Sequence, residues 1–248
     1  MCSSDLMARE ASLIIRGGTL VDGTGAAPYE ADIAIGDGRI LEIGKISAHA
    51  PEEIDAKGLI VTPGFVDIHT HYDAQATWSS RLLSSSINGV TTALLGNCGV
   101  GFAPCRPDRR DMLVKLMEGV EDLPEVVLTE GLPWNWESFP EYMDALDARP
   151  YDMDVAAMVT HAPLRVHVMG EAAEAHAVAT PEQCAEMARL TAEGLAAGAL
   201  GFSTSRAIAH RTLDGRHIPT LGTPEEELET IARAIRAQGS GWMQVISD

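Results

Sequence analysis

The sequence predicts an α/β fold, in which a parallel sheet or barrel of alternating strands and helices follows a small β-sandwich segment. Residues 11–62 carry short alternating strand patterns joined by glycine turns, as is typical of antiparallel β-structure. From residue 63 to 248, strand patterns alternate with helical ones, as in parallel strands joined by crossover helices. A chain of 248 residues with 46% hydrophobic content can bury one large core or two smaller ones.

The first segment, residues 11–62, is predicted to be purely structural. Apolar residues alternate at Leu13 and Ile15 and again at Ile33 and Ile35, as in half-buried strands. No residue in this segment has a catalytic pattern. Glycine-containing turns join the strands, at residues 17–18, 22–23 and 36–38.

The second segment, residues 63–248, contains strand patterns separated by helices with clear start signals. Thr180 and Thr223 each precede a proline, with Gln or Glu three residues after the threonine, so both predict capped helix starts. Long loops at 96–108 and 203–223 follow strand ends, where barrels carry their functional residues. The strands are predicted at residues 64–68, 91–95, 155–159, 200–203 and 243–246.

The number of strand patterns is too small for a closed barrel. A (β/α)8 barrel closes with eight strands and takes about 250 residues by itself, whereas five patterns follow Pro63. The alternative, an open sheet with an exposed edge strand, is one that natural proteins avoid. The sequence therefore favours a fragment of a longer chain over an open sheet.

Charge and composition exclude several classes of partner. The formal net charge of -18 argues against nucleic acid or an anionic membrane as a partner and leaves a small-molecule substrate. The few, irregularly spaced cysteines and the absence of an apolar run of roughly 18 residues predict a cytoplasmic protein. Residues 1–10 show no periodicity and are predicted to be an unstructured or non-native leader, with Met7 as the native start. The composition predicts no oligomeric state.

Two histidines end the first strand of the second segment. Side chains at i and i+2 of a strand point the same way, so His69 and His71 would present both imidazoles to one point while Thr70 faces away. Neutral imidazole is the commonest protein ligand for zinc. The spacing therefore predicts part of a metal site.

A cysteine follows the next strand at the same end of the sheet. Cys98 lies between Gly96 and Gly99, which allow the backbone to turn sharply and bring the thiol inward. Its thiolate would be a third metal ligand. The alternative is a small buried hydrophobic side chain, which is the usual role of a free cysteine.

Several motifs carry a family resemblance. The stretch from Pro63 to His71 resembles the first-strand signature of the amidohydrolase superfamily. Residues 96–99, 134–136 and 160–165 resemble its D-aminoacylase branch, the N-acyl-D-amino-acid deacylases. The resemblance implies a β-sandwich on a metal-dependent (β/α)8 barrel with one or two divalent ions such as zinc. It also implies that His69 and His71 hold the more buried metal and that Cys98 bridges the two positions.

Lysine positions separate this branch from the cyclic-amide hydrolases. Those relatives are similar in bridging their metals with a carboxylated lysine at a strand end. The three lysines of this chain, Lys45, Lys57 and Lys115, lie at no such position. The fifth strand departs from the family pattern because it has no histidine, and the resemblance places the general-base aspartate beyond residue 248. Asp248 is a candidate substitute oxygen ligand.

Four further residues are candidates for the site. His161 is predicted either to bind substrate or to be a buried histidine with satisfied hydrogen bonds. Arg165 and Arg206 are candidates for pairing with a substrate carboxylate, with surface or helix-pairing roles as the alternative. Asp67 is a candidate acceptor that fixes a histidine tautomer, with a structural hydrogen bond as the alternative.

The resemblance implies metal-assisted hydrolysis of a linear amide, with an N-acyl-D-amino acid as the substrate class. Zinc would polarise the amide carbonyl and lower the pKa of a water molecule. One alternative is a cyclic-amide hydrolase of the dihydropyrimidinase or hydantoinase type. The other is that this chain is a non-catalytic fragment.

Overall fold

The structure, a computed structural model, describes residues 10–248, so nearly all of the predicted leader lies outside the described residues. The chain divides into two compact units, the first ending at Gly64 and the second running from Phe65 to Asp248. None of the helices in the described residues is long and apolar enough to cross a membrane.

The first unit contains one five-stranded sheet in the order β3-β2-β1-β4, with β5 also pairing with β1. The β1–β2 and β2–β3 pairs are antiparallel, and Ile15 of β1 lies opposite Ile33 of β2. The predicted second layer of a sandwich is not formed within residues 10–64, where all five strands belong to this sheet. The strands are β1 (Leu13–Leu20), β2 (Tyr29–Gly36), β3 (Arg39–Gly44), β4 (Glu52–Asp55) and β5 (Ile60–Val61).

The second unit alternates parallel strands with helices, which confirms the predicted α/β class. The strands are β6 (Phe65–Asp67), β7 (Val90–Leu95), β8 (Asp154–Ala157), β9 (Val159–Thr160), β10 (Gly201–Ser205) and β11 (Trp242–Ile246). The helices are α1 (Leu83–Ser86), α2 (Arg110–Glu121), α3 (Glu125–Gly131), α4 (Phe139–Asp147), α5 (His161–Met169), α6 (Glu171–Glu174), α7 (Pro181–Ala196) and α8 (Glu225–Gln238). Short 3₁₀ turns occupy Gln75–Thr77, Asn97–Gly99 and Pro107–Arg109.

The parallel strands follow one another in chain order. β6, β7 and β8 form one sheet and β9, β10 and β11 another. Because only Met158 separates β8 from β9, the third predicted strand is one extended run that is interrupted at that residue. Among residues 65–248 these strands do not close into a barrel, and apolar side chains at the outer edges, such as Phe65 and Trp242, are exposed.

The helix caps test the sequence signals directly. Thr180 forms a complete capping box, which confirms the predicted start of α7, and Ser138 forms another at the start of α4. The predicted cap at Thr223 is wrong: α8 begins at Glu225 with Pro224 in the cap position. The Thr223 hydroxyl donates instead to the carbonyl of Thr220, 3.0 Å away.

The core of the second unit lies between the strands and the helices. The aromatic residues before β8 belong to it. Trp136 and Phe139 are buried, and the Trp136 indole N–H donates to the carbonyl of Phe102 at 2.8 Å. This aromatic cluster therefore packs the loop that follows β7 onto α4.

Candidate metal centre

The two histidines lie just beyond the carboxyl end of β6. Between them, Thr70 is hydrogen-bonded to β7: its amide and its hydroxyl both donate to the carbonyl of Leu94, at 3.2 and 2.8 Å. This anchor leaves His69 and His71 on the other face of the chain, with ring centroids 5.4 Å apart. The two imidazole rings therefore lie next to each other just after β6.

A tight turn after β7 places the cysteine beside them. Gly96 and Cys98 both adopt left-handed conformations, with φ of 80° and 56°. A Cβ at Gly96 would lie 2.5 Å from the carbonyl oxygen of Met158, so only glycine fits there. Asn97 fixes the turn by donating from Nδ2 to the carbonyls of Thr70 and Leu94, at 3.0 and 2.8 Å.

His69, His71 and Cys98 converge at this edge of the sheet. His69 Nε2 lies 3.3 Å from Cys98 Sγ, and one donor atom from each of the three residues lies within 4.8 Å of the other two. His71 Nδ1 is buried and has no hydrogen-bond partner among the described residues. Imidazole nitrogen and thiolate sulfur are typical zinc ligands, so these residues fit a zinc ion.

The surroundings keep the Cys98 thiol and the His71 imidazole uncharged in the absence of a cation. Burial raises the pKa of the Cys98 thiol to about 12, with further contributions from Glu121 and Asp73. Burial, together with His69 and His210, lowers the pKa of His71 to about 4. Imidazole binds metals in its neutral form, and a cation at this position would favour the thiolate.

Two carboxyl groups near the cluster were not predicted as site residues. Glu121, the last residue of α2, places Oε1 3.2 Å from His71 Nε2, and burial and Asp122 raise its pKa to about 7. Asp73 is buried, and burial raises its pKa to about 8. Asp73 follows the histidine pair at the same two-residue interval, which is a usable signal. A helix-terminal glutamate 50 positions after His71 has no such local signal.

His161 and Arg165 lie in a buried cluster on α5. The carboxylate of Glu227, on α8, accepts from Arg165 and lies 2.7 Å from His161 Nε2. Arg165 Nη2 also donates to the carbonyl of Ala177 at 2.7 Å. Arg165 is 1% exposed, so these contacts favour the helix-pairing alternative over carboxylate binding. For His161 they favour the satisfied buried histidine.

The other candidates also hydrogen-bond to backbone groups. Arg206 donates to the carbonyl of Thr223, next to the start of α8, which again favours helix pairing. The Asp67 carboxylate accepts from the amide of His69 at 3.2 Å, which is the structural hydrogen bond and not a contact to an imidazole. Asp248 accepts from the amide of Ile208 at 2.8 Å.

Known proteins resemble this chain over most of its length. D-aminoacylase from Alcaligenes xylosoxydans xylosoxydans is 35% identical over 228 residues, covering 92% of this chain and 42% of that protein. A D-aminoacylase structure, solved to study its binuclear metal centre, has a TM-score of 0.75 and 31% identity over 94% of this chain and 44% of that one.

A second solved relative belongs to the same branch. N-acyl-D-glutamate deacylase from Bordetella bronchiseptica, complexed with zinc and a phosphonate inhibitor, has a TM-score of 0.71 and 32% identity, covering 95% of this chain and 45% of that one. The chain thus spans less than half the length of these relatives. The resemblance to D-aminoacylases is confirmed. Because the amidohydrolase family model matches residues 52–246, the chain belongs to the amidohydrolase family.

Proposed function

We propose that the protein is a zinc-dependent deacylase of N-acyl-D-amino acids. The observation that carries the proposal is the convergence of His69, His71 and Cys98 at the carboxyl edge of the parallel strands. The similarity to D-aminoacylase and to N-acyl-D-glutamate deacylase supports the substrate class. In this proposal the strands β6 to β11 are part of a (β/α)8 barrel, whose functional residues lie at that edge.

The three residues have distinct tasks. His69 and His71 hold the ion through neutral nitrogens, and Cys98 adds a negative charge and a soft donor. Gly96 and Asn97 keep the sulfur in place through the turn described above. A bound zinc ion would polarise the amide carbonyl of the substrate and lower the pKa of a water molecule.

The closeness of the thiol to the histidines also addresses the cyclic-amide alternative. Lys45 directly follows β3, Lys57 lies between β4 and β5, and Lys115 lies on α2. None of the three therefore ends a strand of the second unit. An anionic bridge from lysine is therefore not supported by the described residues, and Cys98 is the soft anionic donor beside the histidines.

The test uses the purified full-length protein. N-acetyl-D-amino acids, their L enantiomers and hydantoins are assayed for hydrolysis, and zinc is measured by elemental analysis. We expect hydrolysis of the D-amino-acid derivatives with at least one zinc ion per chain. Preferential hydrolysis of hydantoins would favour the cyclic-amide alternative. If the 248-residue chain is inactive while a longer form is active, this chain is a non-catalytic fragment, and the proposed function holds for the longer form.

A cysteine substitution supplies the decisive variant. Cys98→Ala should lose both zinc and deacylase activity, whereas Cys184→Ala, a partly buried cysteine on α7, should keep both. If Cys98→Ala retains the zinc and the activity of the unsubstituted protein, the proposed metal centre is wrong.

A further inference from the structure

Cys98 lies in a turn whose conformation is unfavourable for a residue with a side chain. Its φ of 56° and ψ of 11° fall in the left-handed region, which glycine adopts readily and other residues rarely. Residues held in such conformations cluster at functional sites and persist only where the surrounding structure fixes them. The contacts made to the turn therefore decide where the Cys98 sulfur lies.

One hydroxyl joins the two ends of this turn. Ser203, on β10, is fully buried, and its Oγ accepts a hydrogen bond from the amide of Gly99 at 3.1 Å. The same hydroxyl donates to the carbonyl of Gly96. Because a hydroxyl can donate and accept at once, this single side chain satisfies a backbone group on each side of Cys98.

The turn also lies directly against β10. A Cβ at Gly99 would be 2.8 Å from Thr204 Cα, so a side chain there would collide with the strand. Gly96 and Gly99 are both buried. Without the Ser203 hydroxyl, the carbonyl of one and the amide of the other would lose the partner that the structure shows. Buried backbone groups without a partner are costly, so the turn is expected to shift when the hydroxyl is removed.

A second side chain reaches the turn from β11. In the parallel pairing of β10 and β11, Gln244 lies opposite Ser203. Asn97 Nδ2 donates to two backbone carbonyls, so Asn97 Oδ1 is left to accept, and Gln244 Nε2 donates to it at 2.6 Å. The turn is therefore held by β10 and β11 together.

We propose that Ser203, with Gln244 beside it, is the positioning residue that keeps the sulfur of Cys98 next to the two histidines. The proposal rests on the metal centre of the proposed function. Ser203 acts through the backbone of the turn and adds no donor to the ion. A catalytic zinc site with three protein ligands keeps its fourth position for water, and this arrangement leaves that position open.

The test compares Ser203→Ala with Thr204→Val in the full-length protein. Each removes a fully buried hydroxyl from β10, but the Thr204 hydroxyl lies 2.8 Å from His161 Nδ1, in the buried cluster on α5. Zinc affinity is measured by competition with a chelator. The bond between sulfur and metal is followed in the cobalt-substituted protein by its near-ultraviolet charge-transfer absorption.

We expect Ser203→Ala to weaken zinc binding by about 10–100-fold, as is typical when a group that orients a metal ligand is removed. The charge-transfer absorption should weaken as well, because the sulfur is displaced. Thr204→Val should change neither. Urea unfolding of the metal-free variants should show that both substitutions lower the free energy of unfolding.

Two further variants separate positioning from a loss of the fold. Ser203→Thr keeps the hydroxyl and should recover part of the affinity that Ser203→Ala loses. Gln244→Met removes the second donor from a half-buried position and should weaken both signals by a smaller factor. If Ser203→Ala is too unstable to purify, unchanged zinc affinity and absorption in Gln244→Met overturn the proposal.

The outcomes separate this proposal from the proposed function. If the unsubstituted protein binds no zinc, the proposed function fails, and this proposal fails with it. If it binds zinc while Ser203→Ala keeps both the affinity and the absorption, Ser203 does not position the sulfur and only this proposal is wrong. The same holds if Thr204→Val loses as much affinity as Ser203→Ala, because the effect would then follow from a weakened strand.

Discussion

Two groups of histidine and carboxylate side chains in the second unit differ in how completely their hydrogen bonds are satisfied. At the edge of β6 and β7, His71 Nδ1 is buried and has no hydrogen-bond partner within residues 10–248, and Cys98 Sγ lies 3.3 Å from His69 Nε2. On α5, both ring nitrogens of His161 have partners and the Glu227 carboxylate faces a guanidinium.

The chemistry of the buried cluster follows from its partners. A carboxylate only accepts hydrogen bonds, so His161 Nε2 carries the proton that Glu227 binds at 2.7 Å. Nδ1 then accepts from the Thr204 hydroxyl at 2.8 Å. Arg165 neutralises the carboxylate. Both imidazole nitrogens and both carboxylate oxygens of this network are paired, and among its described polar atoms Arg165 Nε lacks a partner, so no atom that could hold a metal ion is left free.

The comparison teaches that residue type alone does not separate a site from a structural cluster. Both groups contain histidines and an acidic residue at strand or helix ends. What differs is the saturation of the atoms that could hold a metal ion, the imidazole nitrogens and carboxylate oxygens, because buried polar atoms in a finished core are almost always paired. Unpaired donors that converge on one point therefore indicate a ligand position, while a saturated network indicates structure.

The largest expected effect on stability is in the saturated cluster. Glu227→Gln leaves Arg165 buried beside a neutral partner, and breaking a buried ion pair from one side costs about 3–5 kcal/mol. We expect urea unfolding of the full-length protein to give a loss of that size. The zinc content should not change, because Glu227 contacts none of the candidate ligands.

The matched control lies on the same helix. Glu229→Gln removes the same charge from an exposed pair with Arg233, at 3.2 Å, and exposed pairs contribute about 0.5 kcal/mol or less. If Glu227→Gln lost zinc while its free energy of unfolding stayed unchanged, the cluster would belong to the metal centre and the contrast would be broken.

The second effect concerns the unsaturated group. A ligand at 100 times its dissociation constant stabilises the folded protein by about 2.7 kcal/mol. Zinc added at that level to the metal-free protein should therefore raise its melting temperature. His71→Asn should abolish this increase, whereas His161→Asn should keep it. An increase that survives in His71→Asn but disappears in His161→Asn would reverse the assignment of the two histidines.

The local features of the site were predictable from sequence. The two-residue spacing of His69 and His71 places both rings on one face, and the glycines around Cys98 indicate a tight turn. The capping signal at Thr180 acts within four residues and is correct. In each case the residues that interact are close in sequence or follow the period of a strand.

The features that depend on distant contacts were not predictable. Arg165 carries no local sign that Glu227, 62 positions away, binds its guanidinium. Glu121 likewise reaches the histidines only because α2 ends there. The start of α8 was misplaced because the Thr223 hydroxyl bonds to Thr220 and leaves Pro224 at the cap. Tertiary packing decides these cases, and one sequence contains no record of it.

The smallest effect is a pH dependence of stability that belongs to the saturated cluster. Burial lowers the pKa of His161 below its usual 6.5, against the influence of Glu227 on α8 and with contributions from Arg165 on its own helix and Arg206 after β10. Below pH 6.5 the unfolded chain therefore binds a proton that the folded chain does not. The contribution of His161 to stability is complete above pH 6.5 and is lost as the pH falls.

Glu227 changes stability in a lower pH range. Burial by itself would raise its pKa, but hydrogen bonds from His161 and Arg165 hold the pKa below its usual 4.5. Its contribution is therefore present above pH 4.5 and is lost only as the pH falls further. Between pH 6.5 and 5.5 the cluster should respond through His161 alone.

Urea unfolding of the metal-free protein at pH 6.5 and 5.5 measures this response. One proton bound only by the unfolded chain gives a slope of at most about 1.4 kcal/mol per pH unit. His161→Asn should remove its share of the slope, because burial lowers the pKa of this imidazole in the folded state. The slope that remains comes from the other histidines whose pKa burial lowers, namely His71, His167 and His210. Glu121 and Asp73 contribute with the opposite sign, because burial raises the pKa of these carboxyl groups to about 7 and about 8. An unchanged slope in His161→Asn would mean that this imidazole is protonated in the folded state. The cluster would then carry a charged histidine. It would not be the paired network with a neutral histidine that the comparison with the metal centre requires.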